Sequence, residues 1–141
     1  MRFLIDTSIL IEAERQRFDL GGWLEGADEV HICDATVTEY LAGRPLRDES
    51  KRKRWREFWA SLDLPSQPLT RLVCERAGEL LFLARSQGKT VPLGDGLHAA
   101  VADLLGLEVL AADVAHFSAM GVKARNPLVE RPPASPREHP R

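Results

Sequence analysis

The chain has 141 residues, of which 44% are apolar and 28% are charged, and its formal net charge is −2. This length accommodates one domain with a buried core, and the balanced charge argues against a generally basic nucleic-acid coat protein. No run approaches the roughly 18 apolar residues that a membrane span needs, so we expect a cytoplasmic protein without membrane association. Cys33 and Cys74 stand apart with no C-x-x-C spacing, which predicts reduced thiols rather than a zinc site or a disulfide framework.

Strand and helix patterns alternate along the chain. In order, the sequence predicts a strand over 2–5, a helix over 8–14, a partly helical connection over 18–26, a strand over 30–33, a helix over 35–41 with Asp34 as its cap, a polar helix over 48–62, a short strand near Leu69, a helix over 71–86 capped by Thr70, a helix over 97–105, a strand over 108–111 and a last short strand over 122–124.

Strands separated by helices of this length favour right-handed crossovers and a mainly parallel sheet that is covered on both faces. We therefore predict an α/β fold, a three-layer α/β/α sandwich with a central mainly parallel sheet, over residues 1–126. From residue 127 onward, prolines lie among charges, and such a segment buries too little apolar surface to order itself. Residues 127–141 are therefore predicted to form a disordered tail.

Two acids follow predicted strands directly. Asp6 comes after the apolar run 2–5, and Asp113 comes after the run 108–112. The carboxyl ends of parallel strands share one edge of a sheet, so we expect these two carboxylates to lie close together. Like charges at that distance repel unless a cation lies between them, and hard divalent ions prefer oxygen ligands. An alternative for each residue taken alone is helix capping, because Asp is a preferred N-cap.

Two further acids lie on predicted helices. Glu39 is on the helix 35–41, where a lone Glu more often belongs to a solvated face. Asp95 stands between Gly94 and Gly96 at the start of the helix 97–105, where capping is again an alternative, although the flanking glycines suggest a close backbone approach. The four acids taken together, rather than any one of them, indicate a site.

The surroundings of these acids resemble the PIN domain, a family of metal-dependent ribonucleases, and in particular the small VapC-type toxins of bacterial toxin–antitoxin pairs. The similar segments, in chain order, are L-I-D-T-S-I-L-I at 4–11, T-V-T-E-Y-L-A-G at 36–43, G-D-G-L-H-A-A-V-A at 94–102 and L-A-A-D-V-A-H-F at 110–117. No single segment is specific, but four in this order and at these separations are, and the resemblance covers residues 2–126. It implies a PIN-like nuclease domain.

The resemblance also implies which residues form the site. Asp6, Glu39, Asp95 and Asp113 would form an acidic cluster that is both catalytic and metal-binding, with Mg²⁺ or Mn²⁺ as the cofactor, and Ser8 would support it. The substrate would be RNA, the partner a cognate antitoxin, and the assembly a homodimer. The sequence departs from the family where Ala111 replaces a usual Thr or Ser, so one polar contact near the site is expected to be missing.

The polar helix 48–62 combines cations with aromatic residues. Lys51, Lys53 and Arg54 are candidates for RNA phosphate contacts, although a plain solvated face explains them equally well. The aromatic and apolar side chains of the helix recur at helical spacing on the opposite stripe, which predicts packing inward or against a partner. In the resembling toxins this region forms a groove for the antitoxin, which makes Trp55 and Trp59 candidate anchors.

Three alternatives to a metal-dependent nuclease were weighed. A phosphatase with Asp6 as a covalent nucleophile is disfavoured, because the chain has D-T-S after the strand where those enzymes have D-x-D. A dinucleotide-binding module is disfavoured because no G-x-G-x-x-G follows the first strand. A non-catalytic PIN-like module that binds RNA or protein stays open: four intact acids argue against it, and Ala111 is its main support.

Overall fold

The computed structural model describes residues 1–134 and contains one five-stranded parallel sheet in the order β3-β2-β1-β4-β5. The strands are β1 (Arg2–Ile5), β2 (Glu29–Cys33), β3 (Ser66–Gln67), β4 (Glu108–Leu110) and β5 (Ala124–Arg125). The helices are α1 (Thr7–Glu14), α2 (Leu20–Trp23), α3 (Asp34–Ala42), α4 (Glu49–Ser61), α5 (Arg71–Ser86), α6 (Leu93–Leu105) and α7 (Val114–Ala119). The predicted alternation of strands and helices is confirmed.

The central strand β1 divides the core into two halves. Successive side chains of a strand point to opposite faces, so Leu4 packs with α5 and α6 on one face. Phe3 and Ile5 pack on the other face with α1, α2 and the apolar stripe of α4. Both faces of the sheet are therefore covered, and the predicted three-layer α/β/α sandwich is confirmed.

Helices α5 and α6 form the most tightly packed helix pair. The buried residues of α5 recur at helical spacing, as predicted: Val73, Ala77, Leu80 and Ala84. On α6, a Cβ placed on Gly96 would lie 2.6 Å from Cγ of Leu81, so the glycine permits the close approach of the two helices. Leu72, next to this stripe in the sequence, is exposed.

Several element ends differ from the predictions. Asp34 is the first residue of α3 rather than its cap, and its carboxylate accepts a hydrogen bond from Ser66 Oγ at 2.7 Å, so the predicted capping is wrong. Helix α6 begins at Leu93, which places Asp95 in its first turn. The short strand predicted near Leu69 lies at Ser66–Gln67, and the last strand lies at Ala124–Arg125.

Described residues after β5 take part in hydrogen bonds, and the predicted disorder of residues 127–141 stays a prediction. The indole N–H of Trp23 donates to the Glu130 carbonyl at 2.8 Å, and the backbone N–H of Leu128 donates to the side chain of Asn126 at 3.0 Å. Residues 135–141 of the predicted tail lie outside the described part of the chain. Within residues 1–134, no helix combines the length and the apolar character needed to cross a membrane.

Candidate active site at the carboxyl ends of the strands

Asp6 is fixed by both of the roles that its sequence position suggested. It follows β1 and is the N-cap of α1, where its carboxylate accepts hydrogen bonds from Ser8 N at 3.2 Å and from Ser8 Oγ at 2.6 Å. Ser8 Oγ in turn accepts from the backbone N–H of Ala112 at 3.3 Å, which ties the end of β1 to the segment after β4. The carboxylate of Asp6 is therefore held at the sheet edge by the hydroxyl that was predicted to support it.

Asp113 and Asp95 meet through a histidine that the sequence analysis did not single out as a site residue. Because β1 and β4 are neighbours with Ile5 opposite Leu110, Asp113 lies at the same sheet edge as Asp6. His116 Nδ1 is 2.6 Å from Asp95 Oδ2, and His116 Nε2 is 3.2 Å from Asp113 Oδ2. The imidazole thus bridges the two acids. The sequence did contain a signal for the contact between His116 and Asp113. The two residues are three apart, and side chains at this spacing share one face of a helix.

The electrostatics of Asp95 reflect this crowded position. Burial raises the pKa of the Asp95 carboxyl, and the negative charge of Asp6 acts in the same direction. The hydrogen bond to His116 opposes these effects without cancelling them. Asp6 and Asp95 are therefore close enough to repel each other, as expected for a site that receives a cation.

Glu39 reaches the same edge from α3. Its carboxylate Oε1 accepts a hydrogen bond from Thr7 Oγ1 at 2.9 Å. A Cβ placed on Gly94 would lie 2.9 Å from Glu39 Oε2, so the absence of a side chain at this position makes room for the carboxylate. The close backbone approach that the glycine pair suggested therefore occurs at Gly94 toward Glu39.

His98 lies beneath these acids and is fully buried. Its Nδ1 is 2.7 Å from the Gly94 carbonyl, 3.7 Å from Asp6 Oδ1 and 4.0 Å from Glu39 Oε1. Burial by itself lowers the pKa of the imidazole, but the contacts with Cys33, with Asp6 and with the Gly94 carbonyl outweigh it and raise the pKa to about 10. The surroundings of the buried ring therefore favour its protonated form over the neutral one.

The four acids form two pairs rather than one finished ligand set. Asp6 and Glu39 lie over His98, and Asp95 and Asp113 share His116. Among residues 1–134, no three His, Cys, Asp or Glu side chains are already arranged to hold a metal ion. The donor set nevertheless fits a hard divalent cation, because it consists of carboxylates whose charges are only partly compensated by neighbouring hydrogen bonds.

A groove of about 430 Å³ adjoins Glu39 between α1, α3 and α4. Its cationic lining residues are Arg15, Arg17, Lys51 and Arg54. Arg54 also pairs with the buried carboxylate of Glu14 at 3.2 Å. Of the three predicted RNA contacts, Lys51 and Arg54 therefore line the groove, whereas Lys53 does not and instead lies 3.8 Å from Glu57.

The aromatic residues of α4 attach this helix to α3. The Tyr40 ring stacks on Trp55 at a centroid distance of 4.7 Å and on Trp59 at 4.8 Å. Trp55 is only 8% exposed, so it presents little more than an edge to the groove. These contacts agree with the first of the two predicted alternatives, packing inward, and the anchoring of a partner by Trp55 and Trp59 stays a prediction.

Similarity to known proteins agrees with the fold. The PIN domain family model matches residues 3–123. Ribonuclease VapC10 of Mycobacterium tuberculosis is 31% identical over 117 residues, which cover 81% of this chain and 84% of that one. The chain belongs to the PIN domain family.

Solved structures agree in fold. FitAcB from Neisseria gonorrhoeae matches with a TM-score of 0.76 and 25% identity, over 91% of this chain and 99% of that chain. VapBC2 from Rickettsia felis, bound to a DNA fragment from its promoter, matches with a TM-score of 0.73 and 16% identity, over 89% and 98% of the two chains. The second likeness concerns the fold alone.

Proposed function

We propose that this protein is a Mg²⁺- or Mn²⁺-dependent endoribonuclease that acts as the toxin of a VapBC-type pair. The observation that supports this most directly is the gathering of Asp6, Glu39, Asp95 and Asp113 at one sheet edge, in a PIN domain related to a ribonuclease. Hydrolysis of a phosphodiester in such a site requires carboxylates that hold a cation and a surface that receives the RNA backbone. The four acids are the proposed ligands of the cation, and the groove beside Glu39 is the proposed surface for the RNA backbone.

The carboxylates would hold the ion, and their neighbours would orient them. A bound Mg²⁺ or Mn²⁺ supplies Lewis-acid stabilisation of the phosphate charge and makes a water more acidic. Ser8 keeps Asp6 directed toward the edge, and Thr7 does the same for Glu39. Asp95 and Asp113, which share the His116 ring, would be the other two carboxylate ligands.

The groove beside Glu39 is the proposed path of the RNA backbone. Four cations line it next to the acidic site: Arg15, Arg17, Lys51 and Arg54. Phosphate contacts of this kind contribute affinity without reading the bases. Lys53 is left out of this proposal, because its side chain does not line the groove.

The proposed partners are a cognate antitoxin and a second copy of the chain. FitAcB and the VapBC complexes share this fold, which makes an antitoxin the expected partner. Apolar surface on α5 and at the start of α6 supports a homodimer, because Phe82 is 60% exposed and Leu93 is 68% exposed beside one groove. Light scattering of the purified chain tests the dimer.

The direct test is cleavage of RNA by the purified protein. Activity should require Mg²⁺ or Mn²⁺ and stop with EDTA. Asp6→Ala and Asp95→Ala should lower the rate by roughly 100-fold or more while the protein stays folded, since the carboxylates act on the transition state. Asp63→Asn is the control, because Asp63 is an exposed acid outside the cluster. Undiminished cleavage by either alanine variant would refute the assignment.

The toxin role has a separate test in cells. Expression of the chain alone should arrest growth, and co-expression with an adjacent small gene should restore it. The Asp6→Ala variant should be harmless. A wild-type protein that neither arrests growth nor cuts RNA would favour the alternative, a non-catalytic PIN-like module. That alternative depends mainly on Ala111, which is buried in the core below the site.

A further inference from the structure

A chain of buried and partly buried hydrogen bonds leads from His98 to Glu39. Thr7 Oγ1 is 2.9 Å from Glu39 Oε1 and 3.0 Å from Thr36 Oγ1. Thr36 Oγ1 is 2.8 Å from His98 Nε2, and His98 Nδ1 is 2.7 Å from the Gly94 carbonyl. Three of the members, Thr7, Thr36 and His98, are buried.

The donors in this chain can be assigned by counting hydrogens. An ionised carboxylate only accepts, so the single hydroxyl hydrogen of Thr7 goes to Glu39. The contact between the two threonines then requires the hydroxyl of Thr36 to donate to Thr7. Thr36 has no hydrogen left for His98, so His98 Nε2 must donate to it.

The other end of the chain is equally determined. A backbone carbonyl only accepts, so His98 Nδ1 donates to Gly94. Both ring nitrogens of His98 are therefore donors, and the three hydrogen bonds that link the ring to Glu39 all run toward Glu39. Charge-assisted bonds that polarise one another in one direction are strengthened in a low-dielectric interior.

We infer that Thr7 and Thr36 are positioning residues for Glu39, with His98 as the fixed donor at the base of the chain. The inference rests on the proposed function in taking Glu39 as a ligand of the divalent cation. Glu39 is 44% exposed at its side chain, so without such a hold its carboxylate would sample many rotamers. The other carboxylate oxygen, Oε2, lies next to Gly94, where a Cβ would be only 2.9 Å away. Thr7 and Gly94 therefore confine the carboxylate from two sides.

The test compares Thr7→Val with Thr7→Ser. Valine keeps the shape of the side chain and removes the hydroxyl, whereas serine keeps the hydroxyl. Mn²⁺ binding, measured by electron paramagnetic resonance, should weaken about tenfold or more in Thr7→Val and return to the wild-type value in Thr7→Ser. Thr36→Val should also weaken Mn²⁺ binding, although the Thr36 hydroxyl bonds to Thr7 and His98 and not to Glu39.

A nuclear magnetic resonance readout tests the chain independently of metal. The wild-type protein should show two N–H resonances for the His98 ring. Thr7→Val should shift the Nε2–H resonance, which reports on Thr36, and leave the Nδ1–H resonance, which reports on Gly94. A merely destabilising change would not separate the two ring positions in this way.

The outcomes distinguish the inference from the proposed function. A single ring N–H at His98 in the wild type, or a Thr7→Val variant that binds Mn²⁺ as tightly as the wild type, would overturn the positioning role. A wild-type protein that binds no Mn²⁺ would overturn both the proposed function and this role of Glu39, even if the ring resonances behave as expected. The expected ring resonances together with a Mn²⁺ affinity that only serine restores would establish the role.

Discussion

At the scale of single residues, each acid at the sheet edge is held by a neighbour that is not itself an acid. Ser8 holds Asp6, Thr7 holds Glu39, and His116 holds both Asp95 and Asp113. These hydrogen bonds offset part of the repulsion between carboxylates in the metal-free protein. They also explain why the acids form two pairs, since Asp95 and Asp113 share one histidine, whereas Asp6 and Glu39 have donors at the start of α1.

Replacing Asp95 should stabilise the metal-free protein. The raised pKa of Asp95 means that its proton stabilises the folded state fully below the pKa of an unfolded aspartate, and that this stabilisation is lost as the pH rises through the folded-state pKa. Asp95→Asn keeps a hydrogen-bonding group beside His116 without the charge. We expect a gain in the free energy of unfolding at pH 7 that shrinks toward acid pH, measured by urea unfolding in EDTA. A less stable variant at pH 7 would contradict this electrostatic account.

At the scale of elements, α6 carries two glycines with different tasks. Gly94 faces the carboxylate of Glu39, whereas Gly96 faces the side chain of Leu81 on α5. The first glycine makes room for a flexible polar group at the site. The second permits two helices to approach each other. Both glycines lie in the first turns of α6. Their different roles follow from the side chains that they contact in other helices and not from the local sequence.

Alanine substitutions should separate these tasks. Gly94→Ala gains helix propensity of up to about 1 kcal/mol and displaces only the end of Glu39, so stability should hold or rise while Mn²⁺ affinity falls. Gly96→Ala forces Leu81 out of its packing and should destabilise the fold by about 1–3 kcal/mol. Urea unfolding and Mn²⁺ titration of both variants provide the measurement. Equal loss of stability in the two variants would show that Gly94 also serves packing.

At the scale of the whole molecule, the sequence was sufficient for the layers and for the edge at which the acids meet. Alternating strand and helix patterns determine a parallel sheet, and acids after β1 and β4 follow from its geometry. The hydrogen-bond network around those acids could not be predicted from the sequence. The roles of His116 and Thr36 depend on contacts between elements that are distant along the chain. Asp34 illustrates the same limit: its capping position was plausible locally, but Ser66 of the neighbouring strand offers its carboxylate a partner.

The groove across α1, α3 and α4 predicts an asymmetry between two lysines of one helix. Lys51 lines the groove and Lys53 does not. Lys51→Gln should raise the KM for RNA and reduce the salt dependence of binding by about one unit of slope, with little effect on the saturated single-turnover rate. Lys53→Gln is the matched control and should behave as the wild type. Arg54 is avoided, because its removal would leave the buried carboxylate of Glu14 without its ion pair. Equal effects at both lysines would place the RNA outside the groove.

The order of strands in the sheet also determines when the site can exist during synthesis. β1 is translated first, yet one of its two neighbours is β4, where Phe3 lies opposite Glu108. Asp113 follows β4 and is the last of the four acids to leave the ribosome. A nascent chain that ends before it has a half-paired central strand and an incomplete cluster, and pairing over such a sequence separation is a late step in folding. With this order of strands, the proposed active site would stay incomplete until synthesis is nearly finished, which would give an inhibitor time to bind before the enzyme becomes active.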